Sequence, residues 1–377
     1  MSKRYDNNNK IAIDLMWLRP GKVGGTESFI RNLLDGFVKL NEEYSFVLLV
    51  SQDNKETFRH YTEDKRFELL EAPIPSANIA KRILWQNVFQ NRFLRKNGLT
   101  KCFVPVYCKP WFNGGIEYTC VIHDLQALHY PEYHPFHEVA YSKICWYMDV
   151  KKAKRIVAIS NFVREDIEKY YQKKDVTVIY NPILIKPEEK ADFKELSKKY
   201  GIEEDEYYYT VAQIIPHKNI STIVKMMDEL VHNDKYTHFN LPRKLLITGI
   251  NGKSANVLME QIKELRLVDN IIFSGYISNS ERNTLYSRAR AFLFPSVFEG
   301  FGMPPLEAMY LGCPVVTTRC ASIPEVTQNK AVYVDNPYDA DEWIKKTVNA
   351  KRGFDMPDFS IFDAEILSRR YLNILLG

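Results

Sequence analysis

The sequence predicts an α/β protein made of two doubly wound parallel-sheet domains. Apolar runs of strand length alternate with longer stretches of 3.6-residue periodicity along nearly the whole chain. The alternation starts twice, at Ile11 and again at Tyr207, with the polar stretch Pro187-Glu188-Glu189-Lys190 as a linker between the two series. Finally, 377 residues exceed the roughly 250 at which single cores stop growing.

Ile11–Leu15 reads as the opening strand, and Gly21-Lys22-Val23-Gly24-Gly25 as a flexible loop after it. Thr26 is expected to cap the next helix, whose apolar residues Phe29, Ile30, Leu33, Leu34 and Phe37 keep a helical period. Phe46–Val50, Cys102–Val106, Thr119–Ile122 and Arg155–Ile159 read as further strands, and Ser160 or Asn161 opens a helix. The second series has strands at Tyr207–Val211, Lys244–Thr248, Ile271–Phe273, Ala291–Leu293, Pro314–Thr317 and Ala331–Val334. These assignments place one domain at residues 1–185 and the other at 186–362. A last helix, 363–377, is expected to pack back on the first domain.

Composition narrows the function classes. With 45% hydrophobic and 26% charged residues the chain is neither disordered nor a fibrous repeat. No apolar run reaches transmembrane length, and the polar start Met1–Lys10 argues against a secretory leader. The six cysteines form no Cys-x-x-Cys pair, which fits reduced, buried thiols in a cytoplasmic protein.

Charge is unevenly placed. Residues 1–180 hold 27 Lys and Arg against 21 Asp and Glu, a net of +6, whereas the rest carries −2. No acid occurs between Glu71 and Glu117, a stretch containing Lys81, Arg82, Arg92, Arg95, Lys96, Lys101 and Lys109 among Trp85, Phe89, Phe93, Phe103, Tyr107, Trp111 and Phe112. Trp85, Phe89 and Phe93 recur every four residues, as the buried stripe of an amphipathic helix does, so packing is the simpler reading. The basic face remains compatible with an anionic membrane surface. Nucleic acid is not expected as a partner.

The chemistry is densest at Pro295–Pro314. A strand ends at Phe294, a loop bearing Gly300 and Gly302 follows, and Pro304-Pro305 suit a first helical turn. Gly312 stops the helix after about two turns. Such a helix start offers backbone amides and its dipole to a phosphate. Glu299 and Glu307 flank it, and carboxylates beside a phosphate fit hydroxyl partners better than charge contact. Glu299 is placed on a sugar and Glu307 on a ribose, with a phosphate between them, which describes a nucleotide sugar.

Glu299 and Glu307 spaced around Glu-Gly-Phe-Gly-Met-Pro resemble the signature of glycosyltransferase family 4, retaining enzymes of the GT-B architecture. The resemblance continues in order along the chain. Gly24-Gly25-Thr26-Glu27 is similar to the family's Gly-Gly-x-Glu loop, His123-Asp124 to its His-Asp, and Ser160-Asn161-Phe162 to its Ser-x-Phe. The run Ala212-Gln213 to Lys218-Asn219 resembles the Gly-Arg-x-x-x-x-Lys phosphate segment, Gly275-Tyr276-Ile277-Ser278 the loop near the base, and Ile323-Pro324-Glu325-Val326 the segment beyond. Ala212-Gln213 departs from the usual Gly-Arg, and Gln213 supplies no charge, which moves the burden to Lys218. Some surface-polysaccharide mannosyl- and rhamnosyltransferases of the family share that departure.

The resemblance implies two Rossmann-like domains facing across a cleft. It also implies metal-independent, retaining transfer of a hexosyl group from a nucleoside diphosphate sugar to a saccharide, or lipid-linked saccharide, in surface polysaccharide synthesis. His123, Lys218 and Glu299 would be catalytic; Gly24, Gly25, Gln213, Tyr276, Ile277, Gly302, Met303, Leu306 and Glu307 would bind the donor. No cofactor is implied beyond the donor. The expected location is cytoplasmic, peripheral on the inner face of the cell membrane. GDP-mannose, a UDP-hexose and dTDP-rhamnose all fit as donors. A catalytically silent nucleotide-sugar-binding subunit of an assembly complex is the competing class, favoured by Gln213, and a sugar phosphorylase the third. Two imitations are set aside. Asp339-Ala340-Asp341 is read as a helix cap, not a metal motif, and Gly252-Lys253-Ser254 lacks the upstream glycine of a P-loop, having Ile247 there.

Overall fold

The computed structural model describes residues 10–21, 24–106, 108–249, 252 and 254–377. Lys22 and Val23 of the glycine loop, Tyr107, Lys253 and the first nine residues, all invoked above, lie outside the described residues. The chain divides into two compact units, Met1–Leu184 with Ser360–Gly377, and Ile185–Phe359.

The first unit carries seven parallel strands: β1 (Lys10–Asp14), β2 (Ser45–Val50), β3 (Phe67–Glu71), β4 (Lys101–Val104), β5 (Glu117–Ile122), β6 (Arg155–Ala158) and β7 (Thr177–Val178). Their order is β3-β2-β1-β4-β5-β6-β7. β2 is buried at every position, as a strand covered on both faces must be. Helices α1 (Gly25–Lys39), α2 (Ile79–Val88), α3 (Gln90–Lys96), α4 (Gln126–His129), α5 (Phe136–Lys152) and α6 (Asn161–Tyr171) make the crossovers. The C-terminal helix Ala364–Leu376 lies against α1 so closely that a Cβ at Gly36 would fall 2.1 Å from Ser368 Oγ, which donates to the Leu33 carbonyl. Lys101 Nζ holds the far end through the Leu376 carbonyl at 2.7 Å.

Two local expectations are corrected here. Thr26 is not the cap of α1; the helix begins at Gly25, and Gly24 takes the cap position at φ 60°. The Trp85-Phe89-Phe93 stripe is not one buried helical face. The chain breaks between α2 and α3 at Phe89, leaving that ring 52% exposed, and Gln90 turns inward instead. There its amide donates to Asp14 Oδ2 at 3.0 Å, a polar demand that a phenyl ring could not meet.

The second unit has six parallel strands, β8 (Tyr208–Val211), β9 (Leu245–Thr248), β10 (Ile271–Gly275), β11 (Ala291–Phe294), β12 (Val315–Thr318) and β13 (Val332–Val334), in the order β10-β9-β8-β11-β12-β13. Its helices are α7 (Phe193–Tyr200), α8 (Ile220–His232), α9 (Ala255–Glu264), α10 (Asn279–Arg288), α11 (Met303–Tyr310), α12 (Ile323–Val326) and α13 (Ala340–Asn349). Tyr207, Tyr208 and Tyr209 show how both faces are used. Tyr208 packs with Met226, Met227 and Trp343, while Tyr207 and Tyr209 join Leu285, Tyr286 and Phe292. Each hydroxyl finds an acceptor, at Leu285 O, Thr347 Oγ1 and Thr248 Oγ1. Asp339 caps α13 through Glu342 N, and Asp341 is engaged by Lys235 and Tyr236, so the Asp-x-Asp pattern is structural.

Candidate active site

In open α/β sheets ligands gather beyond the carboxyl ends of the strands. In the second unit the loops leaving β8 and β11 meet there. After β8 the chain makes a tight turn, Pro216–Lys218, and leaves it through Asn219 at φ 51°, a conformation asparagine tolerates. The His217 carbonyl accepts from Val297 N at 2.8 Å and from Ser296 Oγ at 3.2 Å, tying this turn to the loop after β11. Lys218 Nζ thereby stands 2.5 Å from Glu299 Oε1 and 5.6 Å from the Phe294 ring centroid. The two side chains are only 19% and 13% exposed.

Ser322, fully buried, shapes the rest of the loop. Its hydroxyl lies 2.9 Å from the carbonyl oxygens of both Glu299 and Phe301. Gly302 follows at φ 94°, a conformation side chains resist, and turns the chain into α11. Pro304 and Pro305 occupy the second and third helical positions and remove two of the four amides a helix start presents. The N–H groups left to greet an anion are those of Gly302 and Met303.

One turn into α11, Glu307 is buried, with Oε2 3.9 Å from Arg282 Nη1 of α10. Among the other predicted donor residues, Tyr276 is 92% exposed and offers a free aromatic face, and Gln213 is exposed. The side chains of Ile277 and Leu306 are buried, Ile277 against Leu285 and Phe292, so what either can offer a donor is its backbone. Met303 is likewise buried. The glycine of the false P-loop serves packing, since a Cβ at Gly252 would fall 2.0 Å from the Ile214 carbonyl oxygen.

In the first unit His123 follows β5. Its Nε2 lies 2.8 Å from the Pro105 carbonyl, so this nitrogen carries the proton and Nδ1 keeps a lone pair. The ring meets Phe29 edge-on at 4.8 Å. Burial lowers its pKa to about 4, against the smaller opposing pull of the Pro105 hydrogen bond. His123 is therefore neutral at physiological pH, a hydrogen-bonding group and not a cation. Gly24 and Gly25 are exposed at the start of α1, where a Cβ on Gly25 would meet nothing within 4 Å.

The structure thus brings Lys218, Glu299, Gly302, Met303 and Glu307 together on one edge of the second unit. His123, Gly24 and Gly25 belong to the first. Sequence reasoning missed Ser322 and Arg282. Ser322 sits in an ordinary Ala-Ser-Ile-Pro run, and Arg282 in the polar stretch Ser-Glu-Arg-Asn, so neither carried a distinguishing signal.

Comparisons with known proteins agree on the class of molecule. Residues 23–185 match the family described as Glycosyltransferase Family 4, and residues 192–350 that described as Glycosyl transferases group 1. The chain is 32% identical over 242 residues to the O-antigen chain mannosyltransferase RfbU of Salmonella typhimurium, covering 64% of this chain and 62% of that protein. It is 29% identical over 223 residues to O-antigen chain mannosyltransferase B of Escherichia coli, covering 58% and 57%. The match therefore spans about three fifths of these relatives' length. Among solved structures, Anabaena HepE in complex with UDP and glucose superposes at TM-score 0.67 with 14% identity, over 97% of this chain and 99% of that one. WaaG, a glycosyltransferase involved in lipopolysaccharide biosynthesis, does so at 0.66 with 15% identity, over 96% and 95%. These likenesses, with sheets of seven and six parallel strands, establish the GT-B fold.

Proposed function

The chain belongs to glycosyltransferase family 4, and from that membership we propose that it transfers a hexosyl group, mannosyl in the first instance, from a nucleoside diphosphate sugar to a saccharide of a bacterial surface polysaccharide. The observation that carries the proposal is the Lys218–Glu299 pair, held at 2.5 Å three residues before the free amides of Gly302 and Met303. A cation and two N–H groups at a helix start suit a leaving diphosphate, and the carboxylate suits sugar hydroxyls.

In the reaction the bond from the anomeric carbon to the diphosphate oxygen breaks, and one to the acceptor oxygen forms. The acceptor's proton passes to the departing phosphate, so no protein base is needed and configuration is retained. Lys218 meets the charge that grows on the leaving group. Glu299, already engaged by Lys218, orients the sugar rather than attacking it. Neutral His123 keeps its Nδ1 lone pair available to a hydrogen-bond donor. Glu307 accepts from the ribose, and Tyr276 stacks on the base. No metal enters this scheme.

We also place the acceptor on a lipid at an anionic membrane face. The acid-free stretch presents Lys81, Arg92, Arg95 and Lys96 at the surface, and with them Leu84 (63% exposed), Val88, Phe89 and Phe112. Cations beside exposed apolar side chains suit shallow insertion between anionic headgroups. Among the described residues no helix is long and apolar enough to cross a membrane.

The test is incubation of purified protein with GDP-mannose, UDP-hexoses and dTDP-rhamnose, following release of nucleoside diphosphate and the anomeric configuration of the product by NMR. Retention with one donor, unaffected by EDTA, is expected. Nucleotide binding with neither hydrolysis nor transfer from any donor would instead establish the silent binding subunit. Inhibition by EDTA reversed by manganese would sink the metal-free mechanism.

A further inference from the structure

Arg282 makes an unusual pair with Glu307. The separation of 3.9 Å is within ion-pair range but too long for a hydrogen bond. Arg282 Nε is buried with no hydrogen-bond partner, and no donor among the described residues reaches the Glu307 carboxylate. Both side chains are largely buried, at 24% and 11% exposed. A carboxylate so placed faces charge without having its lone pairs filled. That is what a site waiting for two ligand hydroxyls requires, since a closer arginine would occupy the oxygens.

The other titratable groups facing the pair are tyrosines: Tyr209 from β8, Tyr286 from α10 itself, and Tyr276 from the loop before it. Burial pushes the Tyr209 and Tyr286 phenols well up, so both are neutral at any working pH. Among the described residues, Arg282 is the one cation within ion-pair distance of Glu307, and the carboxylate in turn raises the arginine's pKa.

We propose that Arg282 is a positioning residue for donor binding: from α10 it keeps Glu307 charged and open, so that both carboxylate oxygens can accept the vicinal ribose hydroxyls. This rests on the assignment of Glu307 to the ribose. Without the guanidinium a buried carboxyl favours its neutral form, which turns one acceptor into a hydroxyl donor and spoils the two-point contact.

The experiment is calorimetric titration with UDP, GDP and dTDP at pH 8.5 and pH 6.0, using wild type, Arg282→Met, Arg282→Lys and Glu307→Gln. Affinities are taken relative to wild type at the same pH, so that titration of the nucleotide's own phosphate cancels. Arg282→Met should bind no more than about threefold worse at pH 8.5 and lose about a further tenfold at pH 6.0, the loss expected when about nine in ten of the bared carboxyls hold a proton. Arg282→Lys, which keeps the charge and protects against loss of folding, should follow wild type at both pH values. Glu307→Gln should be weakened equally at both. If Arg282→Met loses the same factor at each pH, or if the lysine variant is as pH-sensitive as the methionine one, the proposal is overturned while the ribose assignment stands. Wild-type binding by Glu307→Gln would remove the ribose assignment and the proposal with it.

Discussion

Removing Lys218 should expose an asymmetry in the ion pair. At 2.5 Å and an effective dielectric constant near 20, the gross attraction is about 7 kcal/mol, most of it offset by desolvation. The net value of such a charge-assisted bond is about 1.5–3 kcal/mol. The partners differ in what they lose. Without Glu299, Lys218 keeps the face of Phe294 and a slightly more open position. Without Lys218, Glu299 is left 13% exposed with no cation within ion-pair distance among the described residues. Lys218→Ala should therefore destabilise the protein by about 2 kcal/mol, Glu299→Gln by less, and the double variant by less than the sum of the two. Urea unfolding measures this. Transfer should fall further than stability, by about 10²–10³-fold in Lys218→Ala, as when a donor to a developing oxyanion is deleted. Additive stability losses, or near-wild-type transfer by Lys218→Ala, would refute the reasoning.

Three further outcomes can be checked. Asp14 is buried against Met16 N and Gln90, and desolvation raises its pKa to about 6; a carboxyl raised above its unfolded value costs stability as pH climbs through 4 to 6. Asp14→Asn, with the Gln90 amide flipped so that its unpartnered Oε1 accepts, should stabilise the protein at pH 7.5 by up to about 3 kcal/mol and do nothing at pH 4; no gain at pH 7.5 in urea melts counts against it. His123, held down to about 4, should erode stability as pH falls from about 6.5 to 4, where only the unfolded chain takes its proton; His123→Gln should flatten that slope, and an unchanged slope would show that other groups dominate. Co-sedimentation with vesicles should rise with anionic lipid content, fall at high salt, and drop in Leu84→Asp/Phe89→Asp; indifference of the wild type to anionic vesicles at low salt removes the membrane assignment.

What the sequence disclosed follows from how much each feature repeats. Tyr207–Val211 and Phe46–Val50 were legible because a strand covered on both faces must be apolar throughout. Phe67–Glu71 was not, because as an edge strand it pairs on one side only and leaves its acids in water. The Trp85–Phe93 stripe misled because periodicity says nothing of a break. The position that turned inward belongs to Gln90, whose value lies in Asp14, 76 residues away. Glu299, Glu307 and Lys218 were singled out through their motifs, and the structure brings Lys218 and Glu299 into contact. Arg282 and Ser322 make their contacts with distant segments that no local pattern encodes.

The edge of the second unit to which we assign the donor is thin in uncompensated positive charge, and the deficits reinforce one another. Ala212-Gln213 stands where the Gly-Arg segment it resembles would bring a charge, and Gln213 adds none. Two of the four amides at the start of α11 are replaced by proline nitrogens. Lys218 is already matched by Glu299, and Arg282 by Glu307, so on the proposed assignment the resting donor meets little uncompensated charge. That poverty suits catalysis better than binding. A contact held equally in the ground state and the transition state deepens substrate binding without raising turnover. As the diphosphate departs its negative charge grows, and Lys218 can then shift its weight from Glu299 towards it. The ion pair is in this reading a charge reserve, drawn on at the moment of bond cleavage, and so Lys218 should govern turnover more than donor affinity.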